Sequence, residues 1–314
     1  MHDVITIGSA TVDLFLKSSQ FHLQPAEAGV LLCQEYGGKL DIEDFFMQSG
    51  GAGTNTAVGF RRMGFQTAAV AEIGKDLFAQ VVWDDLKREN VDTQFIVAEK
   101  AEQTAFSALL ISGDGGRSAL THRGAASMLE PRDVPWEALR QTRWIHLSNC
   151  GGNVELLSQI FEHLKSSLVG LSWNPGSKEL QLLAEGKLQV SEVQCDILIV
   201  NAEEWQVLEP VQAEVLKQIQ QIVVTDGKKG GQLYLKGQYQ HHFDSIQVPV
   251  VQETGAGDAF CVGFVSAHLM GQTPVVACEW GIKNSAGVIQ HMGAKTGLLT
   301  RKDFDFAHLV SQSV

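Results

Sequence analysis

Cysteine is scarce in this chain and never clustered. The five, Cys33, Cys150, Cys195, Cys261 and Cys278, include no C-x-x-C pair and are odd in number. That excludes a disulfide framework or a cysteine zinc site as the organising element and leaves thiols in a reducing, cytoplasmic setting. Basic residues are also short: 24 Lys and Arg stand against 36 Asp and Glu, a formal charge of −12. This balance argues against nucleic acid or an anionic membrane as the main partner. A small anionic ligand is not excluded, because a few local donors hold a phosphate. The opening stretch MHDVITIGSATVD carries Asp3 and Asp13 and no long apolar run, so it reads as neither a signal peptide nor a membrane span. There is no internal repeat, low-complexity tract or long linker. No Gly-Lys-Ser/Thr follows a glycine cluster, so a Walker A loop is absent.

What is present is an ordinary globular composition, 44% hydrophobic and 19% charged over 314 residues, enough for a full core. Val4–Gly8 reads as a buried first strand. Leu14 to Gln48 is mixed, with the short apolar run Val30–Cys33. The pattern turns helical from Gly53 and stops at Gly64. Ala68–Ile73 reads as a strand, and Leu77–Glu89 as a helix with Leu77, Val81, Val82 and Leu86 at helical spacing. Phe95–Val97, Phe106–Ile111 and Ser118–His122 are strand-like runs with no helices between them, which predicts a small antiparallel sheet beside the main body. Strands then alternate with helices: Trp144–Ser148, Val169–Trp173, Ile197–Val200 and Ile222–Thr225, with a helix capped by Asn153 and running to Leu164. That alternation predicts a mostly parallel sheet covered on both faces. A hairpin over Gln232–Phe243 follows. Helices over Asp258–Met270 and Pro274–His291 come last, the second capped by Thr273.

Two glycine clusters open helices. In Gly255-Ala256-Gly257-Asp258 the glycines let backbone N–H groups approach an anion, and the helix start favours negative charge. Asp258 has two readings there: a helix N-cap, or a general base that takes a proton from a hydroxyl while the amides stabilise a transferring phosphoryl group. In Ser49-Gly50-Gly51-Ala52-Gly53-Thr54-Asn55, close backbone approach plus one amide suits a polyol, since Asn55 both donates and accepts; a tight loop with Asn55 as cap is the plainer account.

Together these segments resemble the signature motifs of the pfkB (ribokinase-like) carbohydrate kinases. The early Gly50-Gly51-x-x-x-Asn55 and the late Thr254-Gly255-Ala256-Gly257-Asp258-Ala259-Phe260 are joined by three weaker matches in the same order: Gly8 with Asp13, Asn201-Ala202-Glu203-Glu204, and Thr225-Asp226-Gly227-x-x-Gly230. The resemblance spans essentially the whole chain. It implies an α/β fold, a doubly wound, mostly parallel sheet with a small β-sheet lid, in one domain over 1–314 with lid segments near 14–36 and 95–122. It also implies ATP-dependent phosphorylation of a hydroxymethyl group on a sugar, sugar acid or nucleoside.

By that resemblance Asp258 is the base, and Gly255, Ala256 and Gly257 form the anion hole. Asp13, Gly50, Gly51, Asn55 and Arg123 hold the substrate. Asn201, Thr225, Gly227, Gly230 and Asn284 border ATP, the co-substrate. Asn201 and Glu204 organise Mg²⁺ through water. The partners implied are the small-molecule sugar or nucleoside and ATP, with a homodimer through exposed lid strands. Gln252 stands where potassium-activated members carry an aspartate, so potassium activation is not expected. Asn174-Pro175 matches the family's phosphate-contact element only in part, since Ser172 and Gly176 replace its charged positions. Arg123 has a surface arginine as its plain alternative, and His241-His242 reads as strand surface. A phosphosugar kinase would want a basic cluster, for which only Lys39, Arg117 and Arg123 offer themselves. A binding protein that kept the fold and lost turnover is disfavoured by the intact Asp258 and its glycines.

Overall fold

The computed structural model describes residues 1–27, 29–98, 101–114, 116–165 and 167–304. Among them, nine strands build the main sheet. In spatial order they are Gln238–Phe243, Gly231–Leu235, Gln221–Thr225, Ile197–Asn201, Gly170–Trp173, Trp144–Leu147, Val4–Ile7, Thr67–Ile73 and Ile96–Ala98. The seven strands from Gln221–Thr225 to Ile96–Ala98 run parallel, and the hairpin Gly231–Leu235 with Gln238–Phe243 is added antiparallel at one edge.

Central strands of this kind are buried on both faces, which explains their near-continuous apolar runs. All four residues of Val4–Ile7 are buried. Side chains alternate across the pleat: Ile5 and Ile7 join the core that includes Leu156, Phe161 and Trp173, while Val4 joins the core that includes Phe60, Phe264 and Trp280. Helix Ala256–Leu269 is buried over nearly its whole circumference. It packs between the sheet and the outer helix Pro274–Ile289.

A second sheet of four strands stands apart, in the order Asp44–Gly50, Thr11–Lys17, Ala105–Ile111, Arg117–His122. A separate hairpin, His22–Ala26 with Gly29–Cys33, projects beside it. The lid therefore differs from the expected segments in two ways. Asp44–Gly50 belongs to it, pairing with Thr11–Lys17 along seven residues. The run at Phe95–Val97 does not: Ile96–Ala98 pairs in parallel with Thr67–Ile73 and closes the main sheet. Residues 28, 99, 100 and 115 of the expected lid, and 166 and 305–314 of the expected domain, lie outside the described residues.

Register gives the lid two unlike faces. Gln48, Asp13, Ser107 and Thr121 form one cross-strand row on the face that carries Asp13. The opposite face carries Phe45, Met47 and Leu120, all exposed. On the first face the lid rests on the body where Arg117 donates to Thr254 Oγ1 at 2.9 Å and where Gln48 and Phe46 lie against Gly293.

Candidate active site

The last long strand-to-helix transition carries the central residue. Gly255 is the N-cap of helix Ala256–Leu269, in the left-handed conformation at φ 82°. A side chain there would run into Ala294, so glycine is required on both counts. The helix thus begins two residues before the expected Asp258. Asp258 sits in the third helical position, and its carboxylate caps nothing; Oδ2 accepts from Asn55 Nδ2 at 2.7 Å. Asn55 is likewise no cap, since helix Ala52–Arg62 is capped at Gly51. Both cap readings fall away, and the two side chains meet across 203 residues of sequence.

The residue Asp258 is only half-buried, but its carboxyl is surrounded by protein, and that burial pushes its pKa up to about 6. The Asn55 amide and the Lys295 ammonium pull it down, and the Asp13 carboxylate pushes it up. Asp13 is itself buried and raised for the same first reason, with hydrogen bonds from Ser107 and Thr11 in opposition. Gly50 makes room for it: a Cβ at position 50 would lie 2.2 Å from Asp13 Oδ2. Gly51 has φ 92°, and a Cβ there would strike the Ser9 carbonyl. Asn55 Oδ1 is buried with no partner, an acceptor left open beside the two carboxylates. Asp13, Gly50, Gly51, Asn55 and Asp258 are thus brought together as one polar cluster.

A cavity of about 330 Å³ opens on the other side of the same helix start. Asn201, Thr225, Gly227, Gly230, Ala256 and Gly257 line it, so four of the five expected nucleotide residues and two of the expected anion-hole residues share one space. Apolar side chains, Val250, Phe260, Ile282 and Ile289 among them, line it as well. Gly230 is forced by contact, since a Cβ would fall 1.8 Å from the Phe243 carbonyl oxygen.

Other expectations fare differently. Asn284 does not border this space. Its Nδ2 donates to the Ala259 carbonyl at 2.7 Å and its Oδ1 accepts from Leu299 N–H at 2.9 Å, so the amide is spent tying two helices and a loop. Asn201 and Glu204 form a reciprocal capping box, each side chain accepting the other's backbone N–H at 2.8 Å. Arg123 is exposed and makes no hydrogen bond or ion pair among the described residues, whereas Arg117 reaches Thr254, just before the Gly255 turn. Asn174 bridges two strand ends through the Ile199 carbonyl. Gln252 is buried, its amide turned toward the Thr254 carbonyl. His242 faces Asp244 at the surface. Among the described residues no group of three or more His, Cys, Asp or Glu side chains is arranged to hold a metal alone.

Sequence reading missed a buried ion cluster beneath the turn that carries Gly50 and Gly51. Lys295 is paired with Asp85 at 2.8 Å, both out of solvent. Its partners lie more than two hundred positions upstream. Only the glycines that flank it, in Gly293-Ala294-Lys295-Thr296-Gly297, mark the loop at all.

A profile of the pfkB family carbohydrate kinases matches residues 1–301. A ribokinase of Staphylococcus aureus is 25% identical over 313 residues, 94% of this chain and 96% of that protein. A nucleoside kinase of Methanothermobacter thermautotrophicus is 25% identical over 256 residues, 79% of this chain and 81% of that one. Among solved structures, the Methanocaldococcus jannaschii nucleoside kinase superposes with a TM-score of 0.77 at 21% identity, over 96% of each chain. The Thermotoga maritima ribokinase gives 0.78 at 19%, over 96% of this chain and 98% of that one. These structural likenesses establish the ribokinase-like fold. With the profile running over nearly all the described residues, the chain belongs to the pfkB family of carbohydrate kinases and is a carbohydrate or nucleoside kinase that uses ATP.

Proposed function

We propose that this kinase transfers the γ-phosphoryl group of ATP to a hydroxymethyl group of a sugar, sugar acid or nucleoside, with Asp258 as the general base. The observation that carries this reading is the position of Asp258. It lies one helical turn into a glycine-capped N-terminus, bonded to Asn55, between the polar Asp13 cluster and the cavity lined by Gly257 and Thr225. The hydroxyl oxygen attacks phosphorus, its proton passes to the Asp258 carboxylate, and the bond to the ADP oxygen breaks. The Gly255 and Gly257 amides and the positive end of the helix stabilise the charge on the phosphoryl oxygens, while the Ala256 amide of the expected anion hole is already given to the Glu253 carbonyl. Asp13 accepts from a neighbouring substrate hydroxyl, and the open Asn55 Oδ1 takes another. The exposed bond from Arg117 to Thr254 joins the lid to the loop before the helix, and closure of the lid over the substrate limits water.

The donor set fits a magnesium ion that arrives on the nucleotide. No all-protein cage exists among the described residues, while Asn201 lines the cavity and Glu204 keeps one carboxylate oxygen outside its capping bond. Asn201 and Glu204 would hold the ion through water, as suits a cation that gives up its hydration reluctantly. When bound, Mg²⁺ supplies charge neutralisation on the phosphate oxygens.

The test is ATP consumption over a panel of sugars, sugar acids and nucleosides, preceded by a thermal-shift screen of the same pools. A saturable, alcohol-dependent release of ADP is the expected result; ATP turnover with no acceptor in the panel, or none at all, would sink the assignment. Glu204→Gln is expected to raise the Mg²⁺ concentration for half-maximal rate several-fold with little change in melting, because glutamine keeps the capping acceptor. An unchanged magnesium titration would remove Glu204 from the ion's surroundings.

The exposed lid face with Phe45, Met47 and Leu120 is proposed as the surface through which two copies pair. Met47→Lys together with Leu120→Glu should convert a sedimenting dimer to a monomer. A wild-type monomer at all concentrations, or a dimer that survives the double change, would count against this surface.

A further inference from the structure

Lys295 is 1% exposed and its Nζ has three partners: Ser49 Oγ at 2.5 Å, Asp85 Oδ2 at 2.8 Å and Thr54 Oγ1 at 2.9 Å. Three is the full capacity of an ammonium. The bonds continue outward in a consistent direction. Ser49 Oγ donates on to Asp85 Oδ2 at 2.6 Å, and Thr54 Oγ1 donates to the Gly50 carbonyl at 2.7 Å. The ammonium therefore grips the turn that carries Gly50 and Gly51 from below. Its own loop is fixed at the main chain, where Arg62 donates to the Lys295 carbonyl at 2.8 Å. The residue before it, Ala294, is the one packed against Gly255. One loop thus touches both glycine turns of the site.

The charge is placed as deliberately as the bonds. Lys295 acts on Asp13 and on Asp258 as an attractive charge, and these two carboxylates repel each other. One turn along the same helix the buried Cys261 thiol also feels Asp258, and Glu204 beside it, and is held well above its ordinary value by burial first. Asp85 answers the ammonium from behind and is in turn met by Arg88.

We propose that Lys295 is a positioning residue for phosphoryl transfer: its ammonium fixes the Gly50–Gly51 turn against the loop behind Gly255, and its charge keeps Asp258 available as a proton acceptor beside Asp13. This rests on the reading of Asp258 as the base. A residue that merely fills space would alter activity equally at every pH. A residue that supplies charge shifts the pH dependence, because removing a nearby cation makes a carboxylate easier to protonate.

The experiment compares wild type with Lys295→Met and with Lys295→Met/Asp85→Asn, the second variant leaving no unpaired buried carboxylate if the first fails to fold. The acid limb of kcat/KM, set by a group near 6 in wild type, should move up by about one pH unit in both. Activity should fall about threefold near pH 6.5 and approach a tenfold loss below about pH 5.5, with most of it regained near pH 9. In parallel, carbon-13 carboxylate NMR follows Asp258 directly, its signal assigned by loss in Asp258→Asn. An unmoved limb and an unmoved carboxylate titration, or a loss equal at all pH values, overturns the proposal. If wild type phosphorylates no alcohol, the proposed function falls, and the carboxylate titration alone then decides the role of Lys295.

Discussion

Replacing Asp258 with asparagine is expected to lower kcat by about 10²–10⁴-fold, the range that a general base supplies. Asparagine matches the carboxylate in shape and still accepts from Asn55 Nδ2, but it takes no proton from an alcohol. The amides at the helix start are untouched, so a residual rate from charge stabilisation remains. Substrate and nucleotide affinities should change little. Stability gives an independent check with a definite sign. Burial holds the Asp258 carboxyl at about 6, above its value in the unfolded chain, so ionisation opposes folding. That penalty is absent below about pH 4, grows as pH rises through 6 and is complete above it. Asparagine never ionises, so the variant should melt at or above the parent temperature at pH 8 and lose that advantage at pH 4. For the same reason the wild-type rate should climb through pH 6 as the carboxyl loses its proton. A kcat within a few-fold of wild type, or a large loss that tracks a lowered melting temperature, would refute the catalytic role.

The second large effect is on the fold. Asp85→Ala leaves the Lys295 ammonium buried without its counter-charge. Breaking one side of a buried pair in this way costs about 3–5 kcal/mol, because the stranded charge keeps its desolvation penalty. At roughly 2–4 °C per kcal/mol for chains approaching this size, the melting temperature should drop by about 10 °C. Removing both partners, as Asp85→Leu with Lys295→Met, should recover most of that loss, since an apolar pair of similar volume is often neutral. The measurement is thermal unfolding of the three proteins at pH 7 and again at raised salt, which screens a buried pair little. A single variant as stable as wild type would show that the pair contributes nothing, and a double variant worse than the single would show that its volume, not its charge, is what matters.

The sequence made the sheet legible because buried parallel strands leave a plain trace: Val4–Ile7, Trp144–Leu147 and Ile197–Asn201 are apolar runs set between helical stretches. The glycine turns were legible for the same kind of reason, since Gly51 and Gly255 occupy conformations that other residues avoid. Errors came where local signals run out. Ile96–Ala98 is three residues long, too short for any period to say which sheet it joins. Asp44–Gly50 reads DFFMQSG, with apolar residues side by side instead of alternating, because its outer face is apolar too. The start of helix Ala256–Leu269 was placed late because Asp is a common cap and Gly-Ala-Gly a poor helix former. Asn284 sits in a helix between Lys283 and Ser285, and only tertiary contacts reveal that its amide is already used. Lys295 was invisible because none of its three partners is near it in sequence.

The lid has a consequence for how the chain is made. Its first strand, Thr11–Lys17, pairs on one side with Asp44–Gly50 and on the other, in parallel, with Ala105–Ile111, Thr11 standing opposite Ala105. Val4–Ile7, a few residues before it, waits longer still, for Trp144–Leu147. During synthesis at about 5–20 residues per second, the N-terminal strands must therefore spend several seconds outside the ribosome before their second neighbours exist. Val12, Leu14 and Leu16 are apolar and lie on the face opposite Asp13, so a half-built lid exposes a sticky ribbon with one free edge. Long-range parallel pairing closes slowly in any case. Nascent chains stalled before residue 105 should thus recruit holding chaperones at the N-terminal segment, and chains stalled past the Trp144–Leu147 strand should release them.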